Sequence, residues 1–558
     1  MNTNTYTSLM ERRVRRILLV CNNYDSFALE EDGRIDVQIA QEYAELNLSN
    51  PPSITRAETT DEALDLVKSQ KSKAESHDAD APFDLILVVY SAGGLDVFDF
   101  AAESKRLLPD CPIVLLSSFS KEVYRRVEQQ DKTNIDYLFN WNNSTDLIIA
   151  IIKLIEDRMN AEHDILSEGV RAILLVEDSV RYYSTYLPLL YKLVLQQNTI
   201  AIRDALNEKQ QLLRKRARPK VLMATCYDEA IELYNRYKEN IIGVISDVGF
   251  VLHKGEPSSA EKLDAGVDLC RLIREDNPTM PFLMQSSQES IKSVARKLNV
   301  GFVVKKSKTL TQELSAYIER EFGFGDFVAV DPRTGKEIGR ASDLEGFERI
   351  ISSISSAAFR RLSDNNYLSK WLFARGLFAI GHEVHQLTIQ DDADIENIRQ
   401  TNIRLIHDYR INQALGVVAK YAQDTYNDTI WFARCGDGAM GGKGRGLAFL
   451  NHMLQKYDLY DQWEGVRILV PRTIKNYWRN GMKGLSAVRP VWVASYHRKC
   501  WMALRKTTSA KRKRLFNGLR TSLAKIIISS YSAMRRRNQV ETKRYMNVRN
   551  RSTLCLLS

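Results

Sequence analysis

Five polar side chains stand at the ends of apolar segments in the middle of this sequence. Glu177 and Asp178 follow AILLV, Asp247 ends IIGVISD, Ser286 ends PFLMQS, and Lys305 follows GFVV. If these segments are strands of one parallel sheet, their carboxyl ends meet at one edge and the five side chains converge there. Carboxylates with water can hold Mg²⁺, and a lysine with a hydroxyl can bind the oxygens of a phosphoryl group placed on an aspartate. The sequence therefore predicts a site for Mg²⁺ and phosphoryl chemistry.

Strand-like and helix-like patterns alternate around these residues. The order begins at Arg16 with RILLV and continues through TTDEALDLVKSQ, FDLILVVYS, FDFAAESKRLL, PIVLLSS, KEVYRRVEQQ, DYLFN and STDLIIAIIKLIEDRM. The same alternation recurs from Arg171 to Gly323, so we predict an internal repeat of about 150 residues per copy. The expected fold class is α/β, with two tandem doubly wound parallel-sheet domains.

In strand order and tip residues, the second copy resembles the receiver domain of two-component response regulators, a flavodoxin-like fold. The resemblance implies that Asp247 is the phosphoacceptor and that Glu177 and Asp178 hold Mg²⁺ together with it. It also implies that Ser286 is the switch hydroxyl and that Lys305 pairs with the phosphoryl group. The implied partner is a histidine kinase or a small phosphodonor, and a homodimer through the receiver domains is a further expectation.

The predicted receiver domain, residues 168–325, departs from that family at two places. Lys306 stands where the family usually has proline, and the segment LHKGEPSSAEK at 252–262 interrupts the chain after Asp247. We expect these departures to affect the geometry of the output more than the chemistry.

The first copy, residues 13–160, repeats the order of elements without the acidic residues. Cys21 and Asn22 stand where the acidic pair is expected, Tyr90 at the phosphoacceptor position and Asn140 near the lysine position. These side chains cannot form a Mg²⁺ site. We expect a degenerate receiver-like domain used for packing, dimerisation or protein binding, with an unrelated α/β domain as the alternative.

Residues 330–428 have helical patterns and are predicted to be a helical spacer. Their HEVH at 382–385 lacks the H-E-x-x-H spacing that puts two imidazoles one helical turn apart, so we do not expect a metal there.

A glycine-rich stretch follows, GDGAMGGKGRGLAFLNHML at 436–454. Its G-x-G-x-x-G match is a weak dinucleotide pattern, and a P-loop is excluded because Asp437 and Gly444 stand where that motif needs glycine and a hydroxyl. Lys443 offers a point charge and Arg445 a planar fork in front of a predicted helix N-terminus, which suits a nucleotide triphosphate.

The segment RCGDGAMGGKGRGLAFLN resembles the opening of the ATP-binding domain of phosphoenolpyruvate synthase and pyruvate phosphate dikinase. The resemblance implies that Gly441, Gly442, Lys443 and Arg445 contact ATP, and that residues 429–473 are the first part of an ATP-grasp domain. That family transfers phosphoryl groups from ATP through a histidine to pyruvate, giving phosphoenolpyruvate.

The expected function is therefore the phosphorylation-regulated front end of such a phosphotransferase, catalytically incomplete, with ATP bound weakly or not at all. Pyruvate is expected as a partner only for the full-length family. The alternative is a two-component signalling adaptor that is phosphorylated at Asp247 and acts by binding a partner.

The charge distribution separates residues 474–558 from the rest of the chain. From Thr473 onward there are 21 Lys and Arg and one acidic residue, whereas the preceding residues hold 58 of the 79 basic and 68 of the 69 acidic residues. A segment translated out of frame, and disordered, is one interpretation of this basic tail, and an arm that binds nucleic acid is the other. We favour the first, so nucleic acid is not an expected partner.

Seven cysteines without a C-x-x-C pair argue against a zinc site or a disulfide framework. The first residues lack the apolar core of a secretory signal, and no apolar run is long enough to span a membrane. A cytoplasmic location is the expectation.

Overall fold

A computed structural model gives the structure of the chain over residues 9–29, 35–45, 50–75, 83–117, 126–127, 130–141, 145–203, 205, 211, 214–414, 418–420, 432–435, 442–456 and 473–476. Most of the basic tail predicted at 474–558 lies outside these described residues, as does most of the helix predicted at KEVYRRVEQQ. No helix within the described ranges combines the length and apolar character that crossing a bilayer requires.

The first sheet has five strands in the order β2-β1-β3-β4-β5, and every neighbouring pair is parallel. The strands are β1 (Arg16–Val20), β2 (Ser53–Ala57), β3 (Leu85–Val89), β4 (Ile113–Ser117) and β5 (Tyr137–Asn140). The helices described around it are α1 (Asn23–Leu29), α2 (Ile35–Glu45), α3 (Thr60–Glu75), α4 (Val97–Leu107) and α5 (Thr145–Ala161). The sequence did not predict β2, because this edge strand buries only Ala57 and so has no apolar run.

The second sheet repeats this arrangement in the order β7-β6-β8-β9-β10, again all parallel. Its strands are β6 (Ala172–Val176), β7 (Lys220–Ala224), β8 (Ile241–Asp247), β9 (Phe282–Ser286) and β10 (Gly301–Val304). Its helices are α6 (Val180–Arg203), α7 (Tyr227–Tyr237), α8 (Ala265–Asp276), α9 (Ile291–Lys297) and α10 (Leu310–Glu321). Both sheets thus have the flavodoxin-like order, 2-1-3-4-5 within each copy, and the predicted fold class is confirmed.

The two copies share one hydrophobic core. Helices α5 and α6 pack against each other, and their apolar residues join those of β1, β3 and β4 to those of β6, β8 and β9 in a single cluster. The opposite face of each sheet has its own core, under α3 and α4 in the first copy and under α7, α8 and α9 in the second. The copies are therefore joined through buried apolar surface.

A buried charge cluster lies beside this shared core. Asp157 of α5 accepts hydrogen bonds from Tyr191 Oη at 2.8 Å, Arg218 Nη1 at 2.9 Å and the Val221 N–H at 2.9 Å. Burial alone would raise the pKa of Asp157, but the charges of Arg218 and Lys220 outweigh it and lower the pKa. The cluster ties the last helix of the first copy to α6 and β7 of the second.

An antiparallel hairpin and five helices follow the second sheet. The elements are β11 (Phe327–Val330), β12 (Glu337–Ala341), α11 (Leu344–Ser353), α12 (Ser356–Asp364), α13 (Tyr367–Ala374), α14 (Phe378–His385) and α15 (Ile395–Ala414). Within the predicted spacer, residues 344–414 are mostly helical, but the hairpin and the strand at Val418–Lys420 were not predicted, and the remaining residues up to 428 lie outside the described ranges. The ring of Trp371 stacks on Phe347, with centroids 4.5 Å apart, at the centre of its core.

These helices pack at the amino ends of the second sheet's strands. Asn366 Nδ2 donates to Thr279 Oγ1 at 3.0 Å, and Lys370 Nζ to the Thr279 carbonyl at 3.2 Å, just before β9 begins. Arg171, just before β6, donates to His382 Nε2 at 3.1 Å. The helices therefore contact the edge of the sheet opposite to the polar strand tips.

A separate compact unit begins at Ile411. Its described residues form three parallel strands in the order β13 (Val418–Lys420), β14 (Phe432–Cys435) and β15 (Thr473–Asn476), with helix α16 (Gly442–Lys456) between β14 and β15.

Candidate functional site

The polar residues predicted at the strand tips of the second sheet come together. Glu177 directly follows β6, Asp247 ends β8, Ser286 ends β9 and Lys305 directly follows β10. The register pairs Asp247 with Gln285 and Val304 with Ser286, so these strands end at the same level. The parallel sheet brings these residues together, although they are far apart in the sequence.

Three carboxylates converge at this edge. One oxygen from each of Glu177, Asp178 and Asp247 lies within 4.8 Å of the others, and within the described part of the chain this is the one group of at least three potential ligands that could hold a metal ion. Glu177 is fully buried and Asp247 is 8% exposed, while Asp178 is partly exposed. Such a set of oxygen ligands, completed by water, fits the six-coordinate preference of Mg²⁺.

Lys305 bridges two of the three carboxylates. Its Nζ lies 2.8 Å from Glu177 Oε1, and it also donates to Asp247 Oδ2. The ammonium group sits 4.3 Å from the centre of the Tyr182 ring on α6, a cation–π contact that the sequence did not predict. The tyrosine and the two carboxylates together hold the lysine at the centre of the site.

The buried charges shift one another's protonation. Burial and the nearby Asp247 charge raise the pKa of Glu177 well above its usual range, against the opposing effect of Lys305. Burial, Asp247 and Glu261 raise the pKa of Asp178 to about 6. For Lys305, burial alone would lower the pKa, but the carboxylates of Glu177 and Asp247 outweigh it and raise it. The site thus concentrates negative charge that one ammonium group only partly compensates.

The backbone around Asp247 is closely packed. Asp247 Oδ1 accepts from the Val248 N–H at 2.7 Å, and the Gly266 N–H donates to the Val248 carbonyl at 2.9 Å. A Cβ atom on Gly266 would overlap the carbonyl oxygen of Asp247, so only glycine allows α8 to approach the strand this closely. On the neighbouring strand, Ser286 Oγ accepts from the Gln288 N–H at 3.1 Å.

Strand pairing changes two of the equivalences predicted for the first copy. The Cys21 N–H donates to the Ala57 carbonyl and the Glu177 N–H to the Ala224 carbonyl, both at 3.1 Å. Cys21 and Glu177 are therefore equivalent positions. The register then places Val89, not Tyr90, at the position of Asp247, because Val20 pairs with Val88 as Val176 pairs with Ser246.

Trp141, not Asn140, likewise occupies the position of Lys305, because each donates to the serine carbonyl that ends the preceding strand. The prediction of Tyr90 at the acceptor position was therefore one residue too late, and Asn140, predicted near the lysine position, lies one residue before it. The residues at these two positions, Val89 and Trp141, are apolar or aromatic and carry no carboxylate.

The histidines of HEVH lie apart from this site. The Arg171 guanidinium stacks 3.5 Å from the Phe373 ring centre and donates to His382 Nε2, while His385 Nδ1 is 3.2 Å from Ser369 Oγ. Both imidazoles also contact the Phe373 ring of α13, although both histidines are exposed.

The structure describes only part of the glycine-rich stretch. Gly441 lies outside the described residues, Gly442 begins α16, and Lys443 and Arg445 belong to its first turn, where Arg445 is exposed. The strand predicted at TIWFAR corresponds to β14, and the predicted helix to α16.

Comparison with known proteins gives structural matches only. No family model and no curated protein matches the chain. A response regulator receiver domain protein from Clostridium thermocellum matches at 17% identity, covering 27% of this chain and 93% of its own, with a TM-score of 0.17. A response regulator from Burkholderia pseudomallei, with a phosphorylated aspartic acid, matches at 14% identity, covering 40% and 97%, with a TM-score of 0.18.

A glucose-galactose binding protein from Geobacillus stearothermophilus also matches, at 9% identity and a TM-score of 0.15, covering 55% of this chain and 90% of its own. TM-scores this low carry no argument about function. The resemblance of residues 429–473 to phosphoenolpyruvate synthase stays a prediction, since the proteins named above do not belong to that family.

Proposed function

We propose that Asp247 is the phosphoacceptor of a receiver-type site and that the chain is a phosphorylation-regulated signalling protein. The observation that carries the proposal is the approach of three carboxylates to within 4.8 Å, with Lys305 bonded to two of them. Burying like charges this close together destabilises the folded state, so such a cluster points to a functional site. An acidic cluster with a paired lysine suits phosphoryl transfer.

Glu177, Asp178 and Asp247 would hold Mg²⁺, which, when bound, neutralises charge on the phosphoryl oxygens. An Asp247 carboxylate oxygen forms the new bond to phosphorus. The bond from phosphorus to the donor breaks, and its electron pair leaves with acetate from acetyl phosphate or with the imidazole of a phosphohistidine. The product is an acyl phosphate on Asp247.

The neighbouring side chains suit that product. Lys305 already contacts Asp247 and can pair with a phosphoryl oxygen there, while Ser286 ends the adjacent strand and offers a hydroxyl. A histidine kinase or a small phosphodonor would supply the phosphoryl group, and the added charge would change the surface around the strand tips.

The test is incubation of the full chain with acetyl phosphate and Mg²⁺, with an EDTA control, followed by intact-protein mass. We expect one added phosphoryl group that requires Mg²⁺ and is removed by hydroxylamine, because hydroxylamine cleaves acyl phosphates. A gain that survives hydroxylamine, or no gain, would contradict the proposal.

We also propose that the glycine-rich stretch binds a phosphate group of ATP. The supporting observation is local: β14, α16 and β15 form a parallel strand–helix–strand unit, and Lys443 and Arg445 lie in the first turn of its helix. Calorimetric titration with ATP should give weaker binding for Lys443→Met than for wild type. Equal binding would show that Lys443 does not contact ATP. This segment would then give no support for phosphoryl transfer to pyruvate.

A further inference from the structure

We propose that Tyr182 is a positioning residue for Lys305 and that its helix, α6, makes the first copy the internal partner that responds to phosphorylation of Asp247. This inference rests on the proposed function, since it concerns regulation by the same site. It assigns the first copy a binding role, with the second copy as its partner.

The first turn of α6 lies against the phosphoryl site. The Tyr182 ring centre lies 4.3 Å from Lys305 Nζ, and the same ammonium group is bonded to Glu177 and Asp247. On its helix, the Tyr182 ring stacks on the buried ring of Tyr186, with centroids 6.0 Å apart. The stacking fixes the ring, so Tyr182 holds the ammonium group against the two carboxylates.

The next two residues of the same helix contact the first copy. The Tyr183 hydroxyl donates to the Leu138 carbonyl, and its ring meets Phe139 edge to face, with centroids 5.4 Å apart. The Asn140 N–H donates to Ser184 Oγ at 2.9 Å. The three first-copy residues belong to β5, an edge strand of the first sheet. One turn of α6 therefore joins the phosphoryl site to β5.

A phosphoryl group on Asp247 changes the charge that Lys305 faces. It adds about two negative charges and strong acceptor oxygens beside the ammonium group. Lys305 then moves toward these oxygens, because a charge-assisted hydrogen bond is stronger than a contact with a ring face. Tyr182 loses its cation, and the first turn of α6 loses one of the contacts that fix it. The hydrogen bonds between α6 and β5 then open more often.

The test is hydrogen–deuterium exchange of the full chain with and without acetyl phosphate and Mg²⁺, read by mass spectrometry. Intact mass gives the phosphorylated fraction, so that variants are compared at equal phosphorylation. We expect the amides of residues 137–141 to exchange about two- to fivefold faster in phosphorylated wild type, the factor that the loss of one cation–π contact supplies. Residues 53–57, at the other edge of the first sheet, should not change.

Variants of α6 separate the ring face from general packing. Tyr182→Leu should exchange faster at 137–141 without phosphorylation and change little on phosphorylation, because the ring is gone. Tyr182→Phe keeps the ring face and should respond as wild type does. Tyr183→Phe loses the hydroxyl bonded to Leu138 and should show a smaller response, which keeps the inference testable if Tyr182→Leu does not fold. Thr185→Ala, at an exposed position of the same turn, is the matched control and should respond fully.

Three results would overturn the inference while the proposed function stands. The first is phosphorylated wild type with unchanged exchange at 137–141. The second is a wild-type response in Tyr182→Leu, and the third is its loss in Tyr182→Phe. If wild type gains no phosphoryl group, the proposed function fails first and the inference fails with it.

Discussion

Trp141 and Lys305 hold the same position in the two sheets. The Trp141 N–H donates to the Ser117 carbonyl at 2.9 Å, and the Lys305 N–H donates to the Ser286 carbonyl at 3.0 Å. The same backbone position therefore carries an indole in the first copy and an ammonium group in the second. The two copies share a fold, but among the described residues the group of three close carboxylates occurs in the second copy alone.

The Lys305 ammonium group compensates carboxylates that are almost fully buried. Lys305→Met leaves Glu177 and Asp247 without it, so the free energy of unfolding measured by urea in EDTA should fall by about 3–5 kcal/mol. Saturating Mg²⁺ should recover part of this loss, because the cation replaces the missing positive charge. Lys306→Met, at the exposed neighbouring position, should change little. A Lys305→Met variant as stable as wild type without Mg²⁺ would contradict this role.

The Asp157 cluster should make the two copies unfold together. Asp157→Asn leaves Arg218 and Lys220 with less compensation in a buried position, so we expect a loss of about 3–5 kcal/mol in the free energy of unfolding. The guanidinium transition followed by circular dichroism should also become less cooperative, since this cluster joins the copies. Asp146→Asn, an exposed position on the same helix, is the control. Equal effects of the two substitutions would show that the cluster does not couple the copies.

We expect His382 to make the contact between α14 and the second sheet sensitive to pH. Burial, Arg171 and His385 lower the pKa of His382, whose Nε2 accepts a hydrogen bond from Arg171 and must be unprotonated to do so. Because the folded state favours the neutral ring, its contribution to stability is present above the unfolded pKa of about 6.5 and is lost as pH falls through the lower, folded value.

Thermal unfolding midpoints should therefore drop between neutral pH and about pH 5, and less steeply in His382→Gln, which cannot be protonated in this range. His253→Gln is a suitable control, because the bond to Asp228 raises the pKa of this exposed histidine instead. An unchanged pH dependence in His382→Gln would assign the effect to other groups.

Alternation of apolar and polar segments was enough to predict every strand of the two sheets except β2, and the polar tips of the second sheet. Each of its strands is an apolar run ended by a charged or hydroxyl side chain, so the edge of the sheet could be located without coordinates. The equivalences of the first copy were misplaced because Tyr90 is the first polar residue after an apolar run, whereas the register is set by backbone pairing at Val89.

One further residue near the site could not be predicted in this way. Tyr182 contacts Lys305 because α6 begins just after β6, at the edge of the sheet where Lys305 also lies. This contact depends on the path of the chain in space, which periodicity does not encode.

The most direct test of the account is the intact mass of wild type and Asp247→Asn after incubation with acetyl phosphate and Mg²⁺. We expect one phosphoryl group on wild type, not two, because the first copy has Val89 at the acceptor position. We expect none on Asp247→Asn. An unmodified wild type, or a variant that gains the same mass, would contradict it.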